Sequence, residues 1–340
     1  MDTEKIIDTA KELVADNKGI IAMDEGIENC NKRFATVNIP QTIEYRRDYR
    51  DLIITTPNLS DYISGLILCD ETIRQFREDR TPFISFIIES GIIPGIKVDK
   101  GEKKMAGHYG EMITEGIDGL EERLTEYALL GARFAKWRVE IIIDNYIPSR
   151  GGIDANAHTI ARFAAICQEV GLVPIIELEV MMTGEHTISR CYDVTKDVLH
   201  SVFNQLYKQG VLLEGIILKP NMVISGMQCP SQATVIEVAE ATINCMLQTV
   251  PAAVQGIAFL SGGQSCKLAS EHLNEINKTM THKVPWALTF SYSRAIQLPV
   301  LEIWKGKHDN IEIAQCELLH RVICNYAARR GDYSTTLERA

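Results

Sequence analysis

The sequence lacks the signatures of a metal centre. It contains no Cys-x-x-Cys pair, and its eight histidines (108, 158, 186, 200, 272, 282, 308 and 320) form no His-x-His or His-x-x-x-His pair. Zinc needs such clustered sulfur and nitrogen ligands, so no metal is expected. The nine cysteines are odd in number and scattered, which excludes a disulfide framework and points to free thiols in a reducing, cytoplasmic compartment. No apolar run approaches the roughly 18 residues that a membrane span needs. The opening MDTEKIIDTAKELV is charged and amphipathic at helical spacing, unlike a secretory signal. The dinucleotide fingerprint Gly-x-Gly-x-x-Gly is missing, as is any Pro/Gly/Ser linker that would divide the chain. A net charge of −10 tells against nucleic acid as a partner, but a small anion responds to local field and is not excluded.

What is present is apolar and periodic. With 340 residues, 46% of them hydrophobic, the chain can bury a large core. Eight Ile-, Val- and Leu-rich runs end in polar residues or glycine: 19–25, 62–70, 92–100, 134–142, 172–180, 213–221, 256–263 and 286–294. Their nearly continuous apolar character fits parallel strands covered on both sides. Amphipathic stretches of helical length separate them, for example 161–170, 197–210 and 233–250, the second ending on Gly210. Strand alternating with helix eight times predicts a single-domain (β/α)8 barrel over residues 1–340.

In such barrels the active site lies at the C-terminal ends of the strands. Those ends carry Asp24 and Glu25, Lys97, Lys136 and Arg138, Glu177 and Glu179, Lys219, Ser261-Gly262-Gly263, and Ser291 with Arg294. Residues two apart on a strand share a face, so Lys136 and Arg138 can both point to the barrel axis, as can Glu177 and Glu179. Burying so many charges costs several kcal/mol each unless they pair with one another or with a ligand. Lys219 ends the apolar run Ile216-Ile217-Leu218. Beside Lys136, like charge and desolvation both disfavour its ammonium. A neutral lysine amine attacks a carbonyl and forms a Schiff base, an electron sink. Glu177 and Asp24 are the candidates for moving protons. The glycine-rich turn SGGQS (261–265) precedes a helix and suits a phosphate, with Arg294 adding a fork of donors. Lys97, Arg138 and the Asn31-Lys32-Arg33 segment could hold a second anion across the barrel.

The segments GIIAMDE, AKWRVEI, VPIIELEV, LEGIILKPNM, FLSGGQS and PWALTFSYSRA, in this order and spacing, closely resemble class I fructose-bisphosphate aldolase of the eukaryotic type. The resemblance spans about residues 5 to 330. It implies a (β/α)8 barrel, usually a homotetramer, that needs no metal or other cofactor and cleaves fructose 1,6-bisphosphate reversibly to dihydroxyacetone phosphate and glyceraldehyde 3-phosphate. Its implied partners are phosphorylated sugars, with no nucleic acid and no membrane. Carried over by position, Lys219 is the Schiff-base lysine, Glu177 the main acid/base, and Glu179 the carboxylate beside the imine-forming lysine. Asp24 serves cleavage of the C3–C4 bond, and Lys136 stabilises charge during imine chemistry. The C1-phosphate site falls on Ser261, Gly262, Gly263, Ser291 and Arg294; the C6-phosphate side falls on Arg33 and Lys97, with Arg138 nearby.

The chain departs from the family pattern at four places. Gly26-Ile27-Glu28-Asn29 follows the Asp-Glu pair in place of a Ser-Thr-Gly-Ser run, which removes hydroxyl donors and adds a negative charge. Ser293 stands where the family has glycine, which is expected to restrict φ, and Met23 replaces a small residue. The family's longer tail, ending in a tyrosine, has no counterpart, and Tyr333 does not match that position. Weaker grip on the C6 phosphate and slow protonation of the enamine are the resulting expectations. A changed preference toward fructose 1-phosphate is the enzymatic alternative, and a non-catalytic binding barrel is the alternative from another class.

Overall fold

The computed structural model describes residues 2–280 and 284–339, so His282 lies outside the described residues. Strands β1 (Gly19–Ala22), β2 (Ile63–Leu68), β3 (Ile93–Lys97), β4 (Glu102–Lys104), β5 (Met112–Thr114), β6 (Phe134–Ile141), β7 (Val173–Val180), β8 (Ile217–Pro220), β9 (Gly256–Phe259) and β10 (Ala287–Tyr292) form in chain order. Eight of them close a parallel barrel in the order β1, β2, β3, β6, β7, β8, β9, β10, with β10 pairing back onto β1. All eight expected strands are therefore present. Each is shorter than its expected run by one to five residues, yet Lys97, Lys136, Arg138, Glu177, Glu179, Lys219 and Ser291 stay within their strands and line the rim. The hairpin of β4 and β5 was not anticipated; two three-residue strands are too brief for a period-two pattern to register.

The helices are α1 (Thr3–Leu13), α2 (Ile27–Thr36), α3 (Ile43–Ile54), α4 (Asp70–Ile73), α5 (Phe83–Glu89), α6 (Leu120–Leu130), α7 (Arg150–Glu169), α8 (Ile188–Lys208), α9 (Val235–Thr249), α10 (Cys266–Met280), α11 (Arg294–Trp304) and α12 (Ile311–Arg329). The stretch 161–170 proves to be only the last half of α7, whose start is concealed by Gly151 and Gly152. Glycine is a poor helix former, but at 152 a Cβ would lie 2.1 Å from Glu111 Oε1, so the packing requires it. Among the described residues, no helix is long and apolar enough to cross a membrane.

Two cores divide the labour. The larger fills the space between strands and outer helices and includes Trp137, Phe163, Ile176 and Leu218. The smaller lies inside the barrel, where Ile20, Ala22, Ile67, Phe134, Val173, Ile175, Ile217 and Ala258 meet Ile6, Ala10, Leu13 and Val14 of α1. Helix α1 thus plugs the N-terminal mouth. Strand alternation then raises a charged layer directly above the apolar one: Phe134 is followed on its face by Lys136, Ile175 by Glu177, and Ile217 by Lys219. The apolar plug forces the charges to the open end.

Candidate active site

The open end holds a cavity of about 420 Å³, lined by Asp24, Lys97, Lys136, Arg138, Glu177, Glu179, Lys219, Ser261, Gly262, Ser291 and Arg294, with Arg33 on its rim. These are the residues singled out from the strand ends, with one exception. Gly263 stands just outside the lining, where a Cβ would meet Arg294 Nη1 at 3.4 Å. The geometry is continuous from β8 to β1. Register sets Glu177 directly opposite Lys219 on the next strand. Lys219 Nζ lies 2.7 Å from Glu177 Oε1, Lys136 Nζ 2.6 Å from Glu177 Oε2, and Lys136 Nζ 2.7 Å from Asp24 Oδ2. All four side chains are buried.

This alternation of signs governs protonation. Burial by itself would raise the Glu177 carboxyl, but the ammoniums of Lys136 and Lys219 outweigh it and hold it down at about 2. Burial opposes ionisation of Asp24 in the same way, and the same two lysines overrule it, keeping Asp24 well below the usual carboxylate range. Lys136 is desolvated too, yet Asp24 and Glu177 keep it firmly protonated. Lys219 therefore does not simply face a like charge across an apolar gap, as the sequence suggested. A carboxylate stands between the two ammoniums. That carboxylate is Glu177; Glu179 points elsewhere, with Oε2 3.4 Å from Arg138 Nη1 and Oε1 3.8 Å from Arg294 Nη2.

One end of the cavity is built for an anion. Gly262 and Gly263 take φ of +60° and +92°, which turns the chain tightly between β9 and α10. Gln264 Nε2 donates to Ser261 O at 3.0 Å, and the His272 ring contacts Gln264 Oε1 from α10. Burial pushes His272 down to about 4, so it stays neutral in that bond. Ser291 Oγ is buried and has no hydrogen-bond partner among the described residues, a donor left for a ligand. Arg294 completes this end from the first turn of α11.

The opposite end differs from expectation. Arg33 is bound already: its Nη1 lies 2.5 Å from Glu25 Oε1, and both terminal nitrogens donate to Ser293 Oγ at 3.3 Å. Ser293 Oγ in turn donates to Glu25 Oε1 at 2.6 Å. With φ of −113°, Ser293 does not occupy the left-handed region that would demand glycine, and its contribution is the hydroxyl. Glu25 also meets Arg50 at 2.8 Å; burial would raise its carboxyl, and the two guanidiniums hold it at about 2. Lys97 Nζ rests 2.6 Å from the buried Asp99. Glu28 is exposed on α2 and does not line the cavity, whereas Gly26 and Asn29 do. Met23 is fully buried in the outer core. Tyr333 lies away from the cavity, its hydroxyl donating to Glu338 at 2.7 Å. Sequence reasoning overlooked Glu102 and Glu140, which line the cavity against Arg138. Glu140 was within reach, since the rule that pairs Lys136 with Arg138 extends two residues further.

A family model for class-I fructose-bisphosphate aldolase matches residues 5–340. A probable fructose-bisphosphate aldolase class 1 from Xanthomonas campestris pv. campestris is 52% identical over 334 residues, covering 98% of this chain and 99% of its own. The muscle-type fructose-bisphosphate aldolase of Lethenteron camtschaticum is 45% identical, with 98% and 92% covered. Among solved structures, the Plasmodium falciparum fructose-bisphosphate aldolase, in complex with TRAP and a small-molecule inhibitor, superposes with a TM-score of 0.95 at 45% identity, covering 97% of this chain and 95% of that one. A buried lysine paired with a carboxylate at the mouth of a plugged barrel, and likeness along almost the whole chain, lead to one assignment: the chain belongs to the class-I fructose-bisphosphate aldolase family, metal-independent lyases that cleave fructose 1,6-bisphosphate reversibly through a Schiff base.

Proposed function

We propose that Lys219 is the Schiff-base lysine of this aldolase, and that Glu177, Lys136 and Asp24 conduct its protons. The carrying observation is the 2.7 Å contact between Lys219 Nζ and Glu177 Oε1 inside the cavity. Glu177 is the group placed to take a proton from Lys219 and to return one to the carbinolamine hydroxyl, which departs as water. In the resting enzyme Glu177 is held ionised by two ammoniums. Once Lys219 becomes part of a neutral carbinolamine, one of those cations is gone, and the carboxyl gains proton affinity at the step that needs an acid. The iminium that follows draws the electrons of the breaking C3–C4 bond. Asp24, bound to Lys136, is the nearest further base for the C4 hydroxyl proton. Glu179 serves here as a counter-ion to Arg138 and Arg294.

The phosphate nearer the imine binds at Ser261, Gly262, Gly263, Ser291 and Arg294. The distal phosphate meets Lys97, Arg33 and Arg138, together with the first turn of α2. Gly26 caps that helix without a side-chain bond, so its first N–H groups and dipole offset the missing hydroxyls. A cytoplasmic homotetramer is the assembly proposed, supported by nine free cysteines and by exposed apolar side chains such as Leu129 and Tyr207.

Borohydride added with dihydroxyacetone phosphate is expected to leave a covalent adduct on the peptide containing Lys219. Lys219→Arg keeps the charge but forms no imine, so it should fold normally and lose turnover by at least about 10³-fold. An adduct on any other lysine overturns the assignment.

A further inference from the structure

Arg138 is the most heavily countered cation in the cavity. Its Nη2 lies 2.7 Å from Glu140 Oε1 and 3.1 Å from Glu102 Oε1, while Nη1 lies 3.4 Å from Glu179 Oε2. Three carboxylates from three strands surround one guanidinium, and all four residues line the cavity. Their origins differ. Glu179 also serves Arg294, across the cavity at 3.8 Å. Glu140 stands two residues beyond Arg138 on β6, one layer above it. Glu102 comes from β4, which the short β4–β5 hairpin holds over the end of β3.

Neither acid has an alternative ion-pair partner among the described residues, and neither belongs to the proton relay at Lys219. The cage holds more negative charge than Arg138 can neutralise. Burial pushes the Glu140 carboxyl upward against the pull of Arg138, and Glu102, Glu179 and Glu177 push it the same way. Such crowding at an open rim is not the arrangement that packing alone favours, since each acid could have been solvated at little cost. What the acids achieve is geometric and electrostatic together. They occupy both terminal nitrogens of the guanidinium and offset the positive charge that an anion entering the cavity would meet.

We propose that Glu102 and Glu140 are specificity-determining residues: they engage Arg138 so that the distal phosphate of the substrate is held weakly, and the ratio of bisphosphate to monophosphate use is set by this cage. The inference rests on the reading of the site given above and names the residues that tune it. With Arg33 drawn to Glu25 and Ser293, and Lys97 to Asp99, three of the four cations lining that end, Arg138 included, carry an internal counter-ion, while Lys32 is exposed at the mouth. The Ser291 and Arg294 end has no equivalent cage, because only the 3.8 Å contact with Glu179 reaches Arg294 among the described residues.

The test compares fructose 1,6-bisphosphate with fructose 1-phosphate on the wild type, Glu140→Gln and Glu102→Gln. Wild-type cleavage of at least one ketose, with trapping at Lys219, establishes the underlying reading before any variant is considered. Each glutamine variant is then expected to lower KM for the bisphosphate about tenfold, the effect of one charge-assisted contact. Its kcat should change little, and the change for fructose 1-phosphate should be at least about five times smaller. Adding Arg138→Gln to Glu140→Gln should abolish the gain, which shows that the acid acts through the arginine. Selectivity unmoved in both single variants, or both substrates shifting alike, overturns the proposal even if the wild type is a fully active aldolase.

Discussion

At the scale of single residues, Glu177 has the most demanding position, a carboxylate touching two ammoniums with 2.6 and 2.7 Å contacts. Glu177→Gln preserves shape and removes the charge. It should cut turnover by about 10²–10⁴-fold, the usual worth of a general acid/base. It should also slow borohydride trapping, since imine formation itself needs the proton relay. A steady-state assay together with trapping kinetics checks both; a fall in turnover with unaltered trapping would confine Glu177 to later steps. Residues also show where reading by analogy stops. Ser293 appeared to threaten backbone freedom, but its φ is ordinary, and the consequence lies in a hydroxyl placed between Glu25 and Arg33. Glu28 appeared to bring negative charge to the phosphate, but a helical turn carries it out to solvent.

At the scale of elements, strand glycines decide how both cores are filled, inside the barrel at Phe134 and outside it at Phe290. A Cβ on Gly95 of β3 would lie 2.1 Å from the Phe134 ring, and one on Gly19 of β1 would lie 2.2 Å from Phe290. The aromatic rings occupy the space that these glycines leave. Gly95→Ala should therefore destabilise the fold by about 1–3 kcal/mol or more through overpacking. Pairing it with Phe134→Leu should cost less than the sum of the two single changes, because the smaller side chain makes room. Urea midpoints of the four proteins measure this coupling, and strict additivity would show that the ring does not oppose the alanine. Elements also brace one another end to end. Arg329, near the end of α12, donates to the carbonyls of Val14, Ala15 and Lys18 just past α1, so the last helix fixes the plug at the barrel mouth. Such a tie answers the carbonyls that a helix end leaves unpaired.

At the scale of the molecule, the buried ion pairs fasten the rim, and they titrate. Glu25 joins α2, α3 and α11 through Arg33, Arg50 and Ser293, while Asp24 and Glu177 join β1, β6, β7 and β8 through the two lysines. The Glu25 and Glu177 carboxyls sit at about 2 in the folded protein, against an ordinary glutamate value of 4.5. A depressed folded value means that the unfolded chain binds protons first as pH falls. Their contribution to stability is thus complete above about pH 4.5 and disappears progressively toward pH 2. We expect thermal unfolding temperatures that are nearly flat above pH 5 and fall steeply between pH 4.5 and 2. Glu25→Gln should show a shallower fall in that window. A wild-type profile equally steep at pH 6 would place the controlling groups elsewhere.

The barrel was legible in the sequence because parallel strands covered on both sides read as continuous apolar runs, and because eight of them alternate with amphipathic helices. The catalytic strand ends were legible for the same reason: charges that terminate such runs have nowhere to go but the rim. Period-two alternation even fixed which of them share a face. What sequence alone could not decide is which charge answers which. Lys219 and Glu177 are 42 positions apart, and Arg33 and Ser293 are 260 apart; only the register between strands and the turn of α2 bring each pair to hydrogen-bond distance. The hairpin that lowers Glu102 onto Arg138 is likewise too short to announce itself. Side-chain type and periodicity are local properties written along the chain, whereas the sign of the field at each point of the cavity is a sum over neighbours that only closure of the barrel assembles.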